Sequence, residues 1–198
     1  MAILITHMSA LDFWRRVYPI DKRPDPSRCC VPQGDFVSVE EAVWTSVPSF
    51  FTPDLLKAEN GCLHVTVCHS KERRCSSTVT PHLWQGPFPY NAFYRLNDEV
   101  YVASPQFAYV QMARTLSLVQ LIALGDELCG TYSFDESDKY GSRQREIALI
   151  GKSDLMKCVR QVREDLGALY GTAKAERALE FIVEGSASPR EKIGRAHV

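Results

Sequence analysis

The sequence has almost no net charge, no long hydrophobic run and no regular cysteine spacing. Over 198 residues, 23 Lys and Arg face 24 Asp and Glu, which gives a formal charge of -1. No global field therefore draws the chain onto nucleic acid or an anionic membrane, so any such contact must be local. With 45% hydrophobic and 24% charged residues, the composition is that of a folded chain and excludes disorder and collagen-like repetition.

Signals for membrane insertion or secretion are also missing. The most apolar stretch, Leu116–Leu124, is interrupted by Ser117 and Gln120 and is shorter than the roughly 20 residues that span a bilayer. The first five residues are apolar but lack the basic leader and the length of a secretory signal. Seven cysteines, an odd number, are typical of reduced thiols rather than of a disulfide framework. We therefore expect a cytoplasmic protein without a membrane partner.

No familiar catalytic signature is present: the sequence has no glycine-rich phosphate loop, no Gly-x-Ser-x-Gly elbow and no His-Glu-x-x-His pair. Metal-ligating residue types are nevertheless concentrated in one segment, at Cys62, His64, Cys68, His69, Cys75 and His82. His64 and Cys68 would lie about 13 Å apart at about 3.3 Å per strand residue, so they cannot share one zinc ion. Cys62 and His64 with Cys75 or His82 remain a conceivable set, but half-buried thiols and a strand histidine are the commoner situation. We assign no catalytic residue, metal ligand or cofactor.

Helix-capping signals organise the first 61 residues. Ser9 opens a helix that Pro19 stops, Ser38 opens a second helix, and Thr52 precedes a short helical turn. Residues 21–34 hold three prolines without apolar periodicity, which is typical of a flexible connection. Residues 1–61 are thus predicted to be an N-terminal helical segment with a linker.

In the middle of the chain, the hydrophobic pattern repeats every two residues, as it does in β-strands. Apolar and polar side chains alternate in residues 62–68 and again in residues 78–80, and a polar segment at 70–74 lies between the two runs. This pattern predicts a β-hairpin. Two more short strands, at 92–96 and 100–103, flank the turn at Asn97. Together these segments predict a small antiparallel sheet of about four strands.

The C-terminal half has helical patterns. Ser104 caps a helix to about Thr115 that is apolar nearly all round and is therefore buried, and Ser117 begins a capping box for the next helix. Ser153 and Thr172 precede two amphipathic helices. The predicted fold class is α+β, with a core at residues 62–186 whose C-terminal half is helical.

Basic residues are locally concentrated. Lys139–Arg163 contains seven basic residues and two acids, a balance of +5, and the tip of the predicted hairpin adds three basic residues in a position like a wing. The candidate nucleic-acid-binding residues are Lys71, Arg73, Arg74, Arg143, Arg145, Lys152, Lys157 and Arg160. The alternative is a solvated helix face with pairs such as Arg160 and Glu164.

Specific stretches resemble a known family. Residues 93–105, followed by the helix with Met112 and Ala113, resemble the strand, Ser-Pro, helix core of abortive-infection type IV antitoxins (AbiEi), and residues 63–82 resemble the strands before that core. The segments 124–132, 174–179 and 184–189 resemble uncharacterised bacterial proteins in which this module precedes a nuclease. The resemblance implies a DNA contact and a cognate toxin as partners.

The downstream domain in those relatives resembles very-short-patch-repair endonucleases. Ser188–Glu191 combines a Ser cap, a Pro and a Glu, and Glu191 matches an acid on the first helix of such domains. The Asp and the Glu-x-Lys pair that bind a divalent metal such as Mg²⁺ come later in those domains, so no catalytic residue carries over. Residues 187–192 are expected to be the start of a truncated nuclease-like domain.

The last six residues, Ile193–Val198, match the translation of a widely used sequencing-adapter oligonucleotide, ATCGGAAGAGCACACGTC. We therefore expect residues 193–198 to be an adapter artefact and the natural chain to be longer. The resulting hypothesis is an antitoxin-like targeting or regulatory module of a truncated, nuclease-linked bacterial protein that acts on or near nucleic acid. The alternative is a non-catalytic protein-interaction or structural domain.

Overall fold

A computed structural model describes residues 2–36, 38, 43, 45–51, 62–135 and 138–188. The chain divides into two compact units, the first formed by Met1–Val17 and Asp25–Ser104 and the second by Tyr18–Pro24 and Pro105–Val198. The predicted helical turn at Thr52, the start of the helix at Ser38–Glu41 and the tail at 193–198 lie largely or wholly outside the described residues, as does Glu191. The α+β class is confirmed, because helices and a mixed sheet are both present.

Among its described residues, the first unit is built on a six-stranded sheet, so the predicted antiparallel sheet of about four strands is corrected. Its strands are β1 (Ile3–Ile5), β2 (Cys29–Cys30), β3 (Leu63–Val67), β4 (Val79–Leu83), β5 (Phe93–Arg95) and β6 (Val100–Ala103). They lie in the order β2-β5-β6-β1-β3-β4. The pairs β1–β6 and β3–β4 are parallel, and the other three pairs are antiparallel.

The predicted hairpin at residues 62–80 is wrong. β3 and β4 run parallel, from Leu63 opposite Val79 to Val67 opposite Leu83. The segment between them crosses back and includes a short 3-10 helix, Ser70–Glu72. The alternation of side chains indicates which face of the sheet each residue occupies, but it carries no information on strand direction. The segment that connects β3 and β4 is long enough to return to the same end of the sheet, which a parallel pair requires. Pro81, which has no backbone N–H, lies on this edge strand, where such a residue is tolerated.

β1 was not predicted, although it is a central strand. Leu4 and Ile5 are fully buried, because Ile3–Ile5 pairs in parallel with β6 and antiparallel with β3. The following helix, α1 (His7–Asp12), continues through a π-helical turn at Phe13–Val17. The predicted N-terminal helix is therefore present but begins two residues before Ser9.

The hairpin of β5 and β6 is confirmed, with Phe93 opposite Ala103 and Arg95 opposite Tyr101. Its turn is closed by the Asn97 side chain, whose Oδ1 accepts the backbone N–H groups of Glu99 at 2.9 Å and Val100 at 2.8 Å. The Asn side chain thus substitutes for a backbone acceptor, which is why an Asn predicts a turn here.

The second unit contains four α-helices among its described residues: α2 (Pro105–Met112), α3 (Leu118–Leu128), α4 (Lys152–Leu166) and α5 (Thr172–Leu179). A 3-10 helix, Leu169–Gly171, lies between α4 and α5. α2 is buried as predicted, and α4 buries the stripe Leu155, Val159 and Val162. A two-stranded antiparallel sheet, β7 (Tyr132–Phe134) with β8 (Ser142–Gln144), lies between α3 and α4 in the chain. Within the described part of the chain, no helix is long and apolar enough to cross a membrane.

Candidate functional site

Three histidines from three separate elements meet in the first unit. His7 is the first residue of α1, His64 lies on β3, and His82 lies on the edge strand β4. The Nδ1 atom of His64 lies 2.8 Å from the Nε2 atom of His82, and the His7 ring stacks on the His82 ring with centroids 3.6 Å apart and planes inclined by 19°. We call His7, His64 and His82 the histidine cluster.

Buried hydroxyls hold the cluster in place. The backbone N–H of Thr6 donates to the His64 carbonyl at 2.9 Å, and the backbone N–H of His64 donates to Ser9 Oγ at 2.9 Å. Thr66 Oγ1 donates to Thr6 Oγ1 at 3.1 Å, and that Thr6 oxygen also lies 3.1 Å from Nδ1 of His7. The junction of β1 and α1 is thus tied to β3 by both backbone and side chains.

The backbone of His7 adopts a conformation that non-glycine residues seldom occupy. Its φ is +52°, in the left-handed region, while its neighbour Thr6 is extended. Such a conformation costs about 1–3 kcal/mol and persists only where the surroundings hold it. Here it turns the chain directly from β1 into α1 and places the imidazole against His82.

Burial and mutual repulsion lower the pKa values of two histidines of the cluster. The pKa of His7 is held well below its usual range, chiefly by burial and then by His82 and His64. The pKa of His82 is lowered to about 4 by burial, by His64 and by the guanidinium of Arg73. In the His64–His82 contact one ring nitrogen donates and the other accepts. The lowered pKa values favour uncharged His7 and His82 at neutral pH.

The structure brings together two members of the predicted Cys/His concentration and adds one that the sequence did not suggest. His82 lies opposite Thr66, two residues along β3 from His64, so its ring reaches the His64 ring. The thiol of Cys62 instead donates to the Ser77 carbonyl at 3.4 Å. Among the described residues, no group of three or more His, Cys, Asp or Glu is arranged as it stands to hold a metal ion. His7 was missed because 56 residues separate it from His64 and no local pattern marks it.

The candidate basic residues of the first unit are all exposed. Lys71 is part of the 3-10 helix between β3 and β4, and Arg73 and Arg74 follow it directly. This helix is closed by Glu72, whose Oε2 accepts the backbone N–H of His69 at 3.3 Å. The predicted comparison with a wing is corrected, because this segment crosses between parallel strands rather than forming the tip of a hairpin.

The candidate basic residues of the second unit fall into two groups. Arg145 is 2% exposed and its Nη2 donates to the Pro19 carbonyl at 3.3 Å, while Lys152 Nζ donates to the Ile182 carbonyl at 2.8 Å. Arg143 is half-buried on β8. Lys157 and Arg160, by contrast, are exposed three residues apart on α4. The first group contributes to the packing of the unit, and the second is open to solvent.

Comparisons of the chain with protein-family models, with curated proteins and with solved structures find no match. The candidate functional features of the chain are therefore those of its own residues. They are the histidine cluster and the exposed basic side chains.

Proposed function

We propose that the chain is an antitoxin-like targeting or regulatory module that acts on or near nucleic acid, in a nuclease-linked bacterial protein. The observation that carries the proposal is the basic segment, which we define as residues 71–74. Lys71, Arg73 and Arg74 are exposed there, three positive side chains within four residues. A cognate toxin is the partner that the resemblance to abortive-infection antitoxins suggests.

The basic segment suits phosphate contact because its backbone is ordered while its charges point into solvent. The 3-10 turn of Ser70–Glu72 is closed by the backbone N–H of Glu72 donating to the His69 carbonyl at 3.0 Å. An ordered turn loses little conformational entropy when its side chains bind, which favours contact over an equally charged flexible chain. Glu72 is the single acid within the segment, so the local charge is positive.

Burial reduces the predicted set of eight basic residues to five that are exposed. Arg145 and Lys152 donate to carbonyls of their own unit, and Arg143 is half-buried. Removing Arg145 would therefore disturb packing rather than a surface charge. Lys71, Arg73, Arg74, Lys157 and Arg160 are the residues on which a binding experiment is informative.

Binding of the 198-residue chain to a fluorescent duplex DNA, followed by anisotropy at low salt, tests the proposal. The variant Lys71→Ala/Arg73→Ala/Arg74→Ala should raise Kd about tenfold or more, because each lost phosphate contact weakens a charge-driven complex. The matched control Lys22→Ala/Arg23→Ala/Arg177→Ala removes the same number of charges from exposed positions elsewhere and should leave Kd nearly unchanged.

The alternative, a protein-interaction domain, draws support from large apolar side chains that the second unit exposes. Val119 is 75% exposed, Leu169 is 60% exposed and Phe181 is 50% exposed. Exposed apolar residues are common on protein surfaces, so they carry less weight than a cluster of like charges. Absence of any anisotropy change at low salt would remove the nucleic-acid proposal and favour this alternative.

A further inference from the structure

We propose that the histidine cluster is a pH-sensitive switch that holds the edge strand β4 in the sheet when uncharged and releases it when protonated. The three rings join three elements, because His7 belongs to α1, His64 to β3 and His82 to β4. β4 is the last strand of the sheet order, so among the described residues its strand partner is β3 alone. The switch is independent of the proposed contact with nucleic acid.

The contact between Nδ1 of His64 and Nε2 of His82 requires an unprotonated nitrogen. At a separation of 2.8 Å, one of these atoms donates and the other accepts. If both rings are protonated, both nitrogens carry a hydrogen atom and the bond is lost. The centroids of all three rings lie within 6.3 Å of one another, counting His7. A second positive charge in the cluster therefore meets the first at close range.

The surroundings of the cluster oppose even the first proton. The pKa of His7 is lowered chiefly by burial and then by His82 and His64. The pKa of His82 is lowered by burial, by His64 on β3 and by the guanidinium of Arg73 on the segment that connects β3 to β4. When β4 separates, His82 returns to water and to its ordinary pKa of 6.5, so proton uptake favours the separated strand.

The position of β4 makes it the element that protonation releases. Its buried side chains Val79 and Pro81 alternate with His82 and so lie on the opposite face of the sheet. On the face that carries His82, the strand contacts β3 and α1 through the cluster. The central strand β1, by contrast, is paired on both sides, with β3 and with β6. Local opening at low free energy is therefore expected at β4 before the centre of the sheet.

Amide hydrogen exchange of the 198-residue chain at pH 7.5 and pH 5.0 tests the switch. Two reporter amides join β3 to the ends of β4: Leu63 N–H donates to the Thr78 carbonyl at 2.7 Å, and Trp84 N–H donates to the Val67 carbonyl at 2.9 Å. Their protection factors, corrected for the direct effect of pH on exchange, should fall about tenfold or more at pH 5.0.

A reference amide in the same chain separates release of β4 from unfolding of the whole unit, and it needs no variant. Ile3 N–H donates to the Glu99 carbonyl at 2.8 Å, beside the central pair of β1 and β6. At pH 5.0 both reporters should exchange at least about tenfold faster than this amide, relative to their intrinsic rates. Equal protection of reporters and reference at pH 5.0 would overturn the proposal.

Substitution of one imidazole tests the origin of the pH dependence. In His82→Gln, the side chain can still form a hydrogen bond but does not titrate, so protection of the reporters should fall about threefold or less between pH 7.5 and 5.0. His69→Gln is the matched control, because His69 is exposed at the start of the connecting segment, and it should behave like the unaltered chain. The same fall in both variants would contradict the assignment of the switch to the cluster.

Discussion

At the scale of single residues, the histidine cluster owes its character to the groups around it. The charged and titratable groups that act on His82 are His64 and the guanidinium of Arg73, and those that act on His7 are His82 and His64. All of them disfavour a positive imidazole, as does burial. The folded chain therefore binds fewer protons than the unfolded chain wherever free histidine is protonated.

This imbalance predicts a loss of stability in mild acid. Because the pKa of His82 is about 4 when folded and 6.5 when unfolded, its contribution is complete above pH 6.5 and declines as the pH falls towards 4. Between pH 7.5 and 5.0, the free energy of unfolding from urea titrations should fall by about 1–2 kcal/mol more in the unaltered chain than in His82→Gln. His69→Gln should behave like the unaltered chain. Parallel pH profiles for all three proteins would contradict this assignment.

The sequence could predict this cluster only in part. The concentration of Cys and His at residues 62–82 marked His64 and His82 as members of a possible set, while the rise along one strand argued only against metal sharing by His64 and Cys68. What joins the two rings is the parallel pairing of β3 and β4, and what adds His7 is the insertion of β1 beside β3. Both are contacts between distant parts of the chain, which local patterns do not record.

At the scale of elements, capping signals placed helix starts with uneven accuracy. The capping box of α3 is present as predicted: Ser117 Oγ accepts the Gln120 N–H at 3.3 Å, and Gln120 Oε1 accepts the Ser117 N–H at 3.0 Å. The signal at Ser153 was less accurate, because α4 begins at Lys152 and Gly151 occupies the N-cap position. Strand directions and the short strands β1, β7 and β8 were not predictable, since they depend on pairing across the fold.

The two serines provide a matched pair of substitutions. Ser117→Ala removes the side-chain acceptor of a helix N-terminus and should lower the free energy of unfolding by about 1 kcal/mol. Ser153→Ala alters an exposed residue inside the first turn of α4 and should change it by less than about 0.5 kcal/mol. Chemical denaturation followed by circular dichroism compares the two. An equal cost for both variants would contradict the distinction between these helix ends.

At the scale of the whole molecule, the near-zero net charge conceals an uneven distribution. The predicted excess of +5 over Lys139–Arg163 is partly internal, because Arg145 and Lys152 donate to carbonyls of their own unit. It is also partly offset at the surface, where Arg163 pairs with Glu176. Exposed positive charge lies both on α4, at Lys157 and Arg160, and in the basic segment of the first unit, where three exposed basic residues fall within four positions. Sequence composition cannot separate these cases, since a buried and an exposed arginine count equally towards the sum.

The salt dependence of DNA binding tests the central proposal most directly. For the unaltered chain, the logarithm of the association constant should fall linearly with the logarithm of the salt concentration, with a slope of about -0.9 per phosphate contact. The variant Lys71→Ala/Arg73→Ala/Arg74→Ala should have a slope shallower by about 3, roughly one for each lost contact, while Lys22→Ala/Arg23→Ala/Arg177→Ala keeps the original slope. Identical slopes for both triple variants, or binding that does not respond to salt, would contradict a role for the basic segment in holding nucleic acid.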